Sequence, residues 1–127
     1  MFLMSNKYYH GSYRDDGLND PNRGWIVGKF KEDKPRKNNE VEIKYWEFDR
    51  GTTTHETKVS TIIECTFILS GAVKGTIDDE EIVLKAGDYI VIEPNTVNNV
   101  VEEVLEPTTA LTVKAPSDPS AKKVITK

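Results

Sequence analysis

Residues 41–48, VEIKYWEF, alternate in character: Val41, Ile43 and Tyr45 fall on one side of an extended chain, and Glu42, Lys44 and Trp46 on the other. A period of two predicts a strand with two unlike faces. The β-branched run at 59–71, VSTIIECTFILSG, predicts a longer strand. Shorter apolar runs follow at AVKGTID, EIVLKAGD, YIVIEP and NVVEEVL, and after Pro107 at TTALTVKAP. Turn-forming groups separate them: DRGTTT, the acidic DDEE, KAGD and EPN. Nothing between 41 and 114 keeps a helical period beyond two turns. Strands this short and this regularly spaced predict an all-β fold, a small antiparallel barrel or sandwich. Closing the sheet removes the exposed edges that so many short strands would otherwise leave.

The first forty residues are rich in Gly, Asn, Asp and Lys, with one apolar island, GWIVGKF at 24–30. That island predicts a short strand lying on the main body. The chain therefore divides into an irregular N-terminal extension (1–40) packed on the barrel, the barrel itself (41–114), and a C-terminal tail or strand (115–127). At 127 residues it suffices for one domain, burying roughly two-thirds of its unfolded surface. Formal net charge is −4, from 17 basic and 21 acidic residues. That balance lacks the clustered Lys and Arg that phosphate backbones require, so no nucleic-acid partner is expected. The densest basic run, KEDKPRK at 31–37, is broken by acids and a proline and reads as a solvated loop. No apolar run is long enough to cross a bilayer, and no membrane partner is expected. The opening MFLM is too short for a secretory signal. A single cysteine, Cys65, excludes an internal disulfide and points to a reducing cytoplasm. Inside its strand it reads as a small buried hydrophobe.

Two stretches carry a family resemblance. ECTFILSG at 64–71 is a glutamate followed, after six residues, by a glycine; GDYIVIEPNTVNN at 87–99 holds Gly87, Asp88 and Pro94 ahead of Asn98 and Asn99. Together they resemble the cupin superfamily, with its first motif of roughly G-x5-H-x-H-x3,4-E-x6-G and its second of roughly G-x5-P-x-G-x2-H-x3-N. The resemblance covers residues 41–114 and implies a double-stranded β-helix, the RmlC-like cupin jelly roll. It places Glu64 at the glutamate position and Gly71 at the hairpin glycine, where it would close a strand. Gly87 would supply positive φ, and Asn95 takes a place usually held by glycine, as the next best residue for a left-handed turn. The resemblance also implies a homodimer, paired through sheet edges or exchanged terminal strands.

The sequence departs from the family at the metal ligands. The two histidines of the first motif should fall at 57–60, which reads Thr57, Lys58, Val59, Ser60. His55 comes too early, the second-motif histidine aligns with Asn98, and His10 sits in the polar N-terminal segment. Neither a metal nor another cofactor is expected. Period two sets Ile62, Glu64, Thr66 and Ile68 on one face, and the family register turns that face into the barrel. A carboxylate there costs several kcal/mol unless paired or hydrogen-bonded, which marks Glu64 as a pocket residue.

The expected ligand-binding set is Glu64, Thr66, His55, Asn98, Tyr89 and Trp46, with His55 and Glu64 as catalytic candidates. Trp25 and Tyr45 are expected in the core. Arg50, Lys58 and Lys74 are expected to face solvent, although one could meet an anionic ligand at the barrel mouth. The leading functional expectation is a metal-free binding module holding a small polar or anionic ligand of nucleotide or sugar-phosphate type. The alternative is a metal-independent isomerase or epimerase of a nucleotide-linked sugar, with His55 and Glu64 as acid and base. A residual metal enzyme built on the same pair, and a structural barrel filled by its own side chains, complete the range.

Overall fold

Two long strands carry the architecture. In the computed structural model, which describes residues 7–19 and 21–125, they are β4 (Ile63–Ile77) and β7 (Asn98–Ala115). They run antiparallel from Ile63 opposite Ala115 to Ile77 opposite Asn98. The other strands are β1 (Trp25–Val27), β2 (Glu42–Phe48), β3 (Thr57–Ser60), β5 (Glu80–Lys85), β6 (Tyr89–Ile92) and β8 (Lys122–Ile125). β2 extends the sheet from β7, with Glu42 opposite Lys114 and Phe48 opposite Thr108. β6 pairs with the first half of β4 and β5 with the second. β3 bridges the start of β7 to β8. The result is the expected all-β fold, a curled antiparallel sheet; the only helical feature described is a single π-helical turn at Arg14–Leu18.

Two breaks expected from the sequence are absent, and one arises elsewhere. Gly71 does not close a strand and Pro107 does not end one. The register jumps from Ser70 opposite Thr109 to Ala72 opposite Glu106, so Gly71 alone confronts Pro107 and Thr108. This is a bulge, the place in a ladder where a proline without an N–H is tolerated and where a strand bends. Gly71 has φ of +86°, and a Cβ there would run into the Pro107 carbonyl and the Thr108 side chain. The break comes instead between β3 and β4. There the Asn95 N–H donates to the Ser60 carbonyl at 2.7 Å and the Thr61 N–H to the Ala121 carbonyl at 3.3 Å, drawing the chain out of the ladder. At DDEE, Asp78 and Asp79 both take positive φ, as a tight two-residue hairpin between β4 and β5 requires.

Alternation sorts the two faces of the sheet. Ile62, Glu64, Thr66 and Ile68 are buried; Phe67 and Leu69, on the opposite face, are exposed. The core gathers Trp46, Ile68, Val73, Leu84, Ile92, Val100, Val104 and Ala110. The outer face keeps Phe67, Leu69, Tyr89 and Val91 in solvent, but over β2 the N-terminal segment covers it. There Tyr13 stacks on Tyr45 with ring centroids 4.5 Å apart. β1 extends the sheet beyond β2, Trp25 lying opposite Lys44. Ile68 is among the largest fully enclosed side chains, so Ile68→Ala should lower unfolding free energy by about 2–5 kcal/mol. Urea denaturation measures this, and a loss well under 1 kcal/mol would place Ile68 outside the core.

Candidate functional site

The inward face of the sheet near the bulge-free ends of β4 and β7 is polar rather than apolar. Opposed residues in an antiparallel ladder share a face. Register therefore brings Glu64 beside Lys114, Thr66 beside Thr112, and Lys44 beside Thr112 on the other edge of β7. Lys58 on β3 and Lys122 on β8 reach the same space. Together with Trp25, Trp46, Phe48, Thr54, Glu56 and Asn99 they line a cavity of ≈ 250 Å³.

At its floor, both oxygens of Glu64 accept hydrogen bonds from the Lys58 ammonium, at 2.8 and 3.0 Å. The two side chains are 14% and 6% exposed. Lys114 Nζ lies 4.0 Å from Glu64 Oε1. Lys58, expected in solvent, is thus largely enclosed. It stands in the stretch where the family motif has its histidines. The Thr66 and Thr112 hydroxyls are 3.1 Å apart, and the Trp46 indole N–H donates to Thr112 Oγ1 at 3.1 Å. Nearer the mouth, Lys122 Nζ contacts Glu56 Oε1 at 2.7 Å, and that hydrogen bond holds the Glu56 carboxyl below the usual carboxylate range.

Two lysines remain short of negative charge. Burial draws the Lys44 ammonium below the ordinary lysine range, and the charges of Lys122, Lys114 and Arg23 push it further down. Burial does the same to Lys114, opposed there by the attraction of Glu64. Both amines sit over the Trp25 ring, 5.5 Å and 5.6 Å from its centroid. Such a contact is worth about 0.5–2 kcal/mol and does not replace an ion pair. Trp25, expected in the core, is a wall of the cavity.

The remaining expected residues divide. Glu64, Thr66 and Trp46 line the cavity. Tyr89 does not: it is 65% exposed on the outer face, where it lies opposite Phe67 and stacks on it. His55 is exposed in the segment before β3, away from the cavity lining, so no acid–base pair with Glu64 is assembled. Asn98 is buried; its Nδ2 donates to the Thr96 carbonyl and its Oδ1 has no partner among the described residues. Its neighbour Asn99 lines the cavity instead, clamped to Thr54 by two hydrogen bonds of 3.1 Å. Lys44, Lys114 and Lys122 went unrecognised in the sequence. The signal for Lys44 was present, since it alternates in phase with Trp46.

The sequence matches the family model of the cupin domain over residues 44–114, more than half the chain. The chain is a cupin. Among solved structures, an uncharacterised protein with a double-stranded beta-helix domain from Klebsiella pneumoniae superposes with a TM-score of 0.67 at 19% identity, covering 95% of this chain and all of its own. KdgF from Halomonas sp. gives 0.58 at 19%, covering 65% of this chain and 74% of its own. An RmlC-like cupin from Shewanella frigidimarina gives 0.57 at 17%, covering 65% and 71%. At these identities the likeness is one of fold. None of the curated proteins matches the sequence.

Cupins are associated with a metal in the barrel, and the donor set here does not suit one. A transition metal wants several deprotonated nitrogen, oxygen or sulfur ligands at about 2.0–2.3 Å. This cupin offers two carboxylates, Glu64 engaged through both oxygens by Lys58 and Glu56 engaged by Lys122, with two hydroxyls and an indole N–H beside Glu64. Among the described residues no three or more His, Cys, Asp or Glu side chains gather closely enough to hold an ion.

Removing one partner of a buried ion pair strands the other. Glu64→Gln, which leaves both Lys58 and Lys114 without a carboxylate, should cost about 3–5 kcal/mol of stability. Lys58→Met should cost less, because Lys114 remains beside Glu64, and the double variant should cost less than the sum of the two. Chemical denaturation of the four proteins tests this; strict additivity would contradict the pairing.

Proposed function

We propose that this cupin is a metal-free receptor for a small anionic molecule, held in the cavity lined by β1, β2, β3, β4, β7 and β8. The observation that carries the reading is the Lys58–Glu64 contact, an internal ammonium placed against the carboxylate that would otherwise call for an external cation. The surrounding charge supports it. Four lysines and two glutamates line the cavity, a formal surplus of two positive charges, within a chain whose overall charge is negative. A desolvated cluster of like charge is unfavourable by itself, and an anion relieves it. Trp25, Trp46 and Phe48 provide apolar walls, and the mutually bonded Thr66 and Thr112 provide hydroxyls for orientation.

The volume selects within the anionic class. A cavity of ≈ 250 Å³ falls below the range of about 300–1,000 Å³ common for drug-sized ligands. That favours a sugar phosphate or small organic acid over a whole nucleotide. The isomerase reading built on His55 loses its base, since His55 stands outside the cavity lining.

Isothermal titration with inorganic phosphate and with glucose 6-phosphate tests the proposal. Binding should weaken with added salt and as pH is raised through the depressed range of Lys114. Lys114→Met should weaken it about tenfold or more, the value of one charge-assisted hydrogen bond. Absence of binding at millimolar concentration by these compounds and by small mono- and dicarboxylates would overturn the reading.

A further inference from the structure

The four lysines of the cavity do not share its carboxylates equally. Lys58 saturates Glu64, Lys114 lies 4.0 Å from the same carboxylate, and Lys122 holds Glu56 at 2.7 Å. Among the described residues Lys44 forms no ion pair. Glu42, which shares its strand face, is buried and accepts a hydrogen bond from the Ser117 hydroxyl. Lys44 therefore projects its amine over the Trp25 ring into a cavity already holding three other ammonium groups.

From this placement we infer that Lys44 is a nucleophile that captures its ligand covalently, as an imine. The ligand class is then a small anion that also carries an aldehyde or ketone, an oxo acid or a keto sugar phosphate. The inference rests on the proposed reading of the cavity as an anion site. The amine must be neutral to attack, and a lysine crowded by cations in a desolvated pocket is activated in that way. Burial and the charges of Lys122, Lys114 and Arg23 all act on Lys44 in that direction, with Glu56 opposing them. The other three lysines line the same cavity, Lys58 and Lys114 beside Glu64 and Lys122 beside Glu56, within reach of the ligand's carboxylate or phosphate. Division of labour within one cluster follows: three lysines orient, one amine reacts.

The step balances without a further reagent. The Lys44 nitrogen lone pair forms a bond to the carbonyl carbon, and the carbonyl π pair moves onto oxygen, which takes up a proton that nitrogen releases. The carbinolamine then loses that oxygen as water after a second protonation, while the nitrogen lone pair forms the C=N bond. One water is released, one proton is consumed, and nothing is oxidised or reduced. The hydroxyl pair of Thr66 and Thr112, which lines the same cavity, offers hydrogen bonds to the oxygen while it departs.

Reductive trapping tests this on the intact chain. The protein is incubated with pyruvate, 2-oxoglutarate or dihydroxyacetone phosphate together with cyanoborohydride, digested, and mapped by mass spectrometry. The expected result is a single dominant adduct on the peptide containing Lys44, heavier by the mass of the probe less one oxygen. Lys44→Arg, which keeps a positive charge but offers no amine that can form the imine, should abolish that adduct. Lys44→Met should abolish it too, and thermal melting of each variant confirms that it folds. Phosphate binding with no Lys44 adduct from any probe would overturn the covalent inference and leave the anion site standing. Adducts scattered over surface lysines and unchanged in Lys44→Arg would overturn it equally. Failure of phosphate, sugar phosphate and carboxylates to bind, with no adduct, would remove both readings together.

Discussion

An ammonium group buried against a carboxylate is the interaction on which the rest of this site depends. Glu64 points inward because β4 alternates at period two and its opposite face carries Cys65, Phe67 and Leu69. Once inward and desolvated, a lone carboxylate would cost several kcal/mol. Lys58 removes that cost with two hydrogen bonds of 2.8 and 3.0 Å. The same contact determines what else the barrel can hold. An ion would have to displace a charged side chain and would find no imidazole waiting, whereas an anion meets a wall of further lysines.

The lysines converge because of ladder register rather than sequence proximity. Lys44 and Lys114 come from β2 and β7, whose pairing puts Lys44 opposite Thr112, one inward position from Lys114. Lys58 and Lys122 come from β3 and β8, where Lys58 faces Val124 and Lys122 faces Ser60. The bulge at Gly71 and Pro107 bends the long β4–β7 ribbon and lets the two halves of the sheet curl over one space. Trp25 closes the side that the sheet leaves open, which gives the N-terminal segment a part in the site as well as in covering β2.

Much of the fold was legible in the sequence because alternation and turn chemistry are local signals. The strand at 41–48, the inward face of Glu64 and Thr66, the acidic hairpin at Asp78 and Asp79, and the left-handed Asn95 all follow from them. The errors came where two strands decide jointly. Gly71 and Pro107 each look like a terminator alone, but placed opposite one another they form a bulge in a continuous ladder. The site was half legible for the same reason. Glu64 could be argued inward from its own strand, whereas Lys58 lies on a short strand whose facing depends on β7 and β8. Looking for absent histidines directed attention to His55 and Asn98, while the residue standing in the expected stretch, Lys58, was assigned to solvent by residue type. Tyr89 was misplaced by composition: an aromatic suggests enclosure, but its register partner Phe67 is itself on the outer face.

Anomalous diffraction from crystals grown with zinc and with manganese tests the central claim most directly. The account predicts Lys58 Nζ within hydrogen-bonding distance of both Glu64 oxygens and no anomalous peak in the cavity at either metal's edge. A strong peak bonded to Glu64, with the Lys58 side chain swung away, would contradict it.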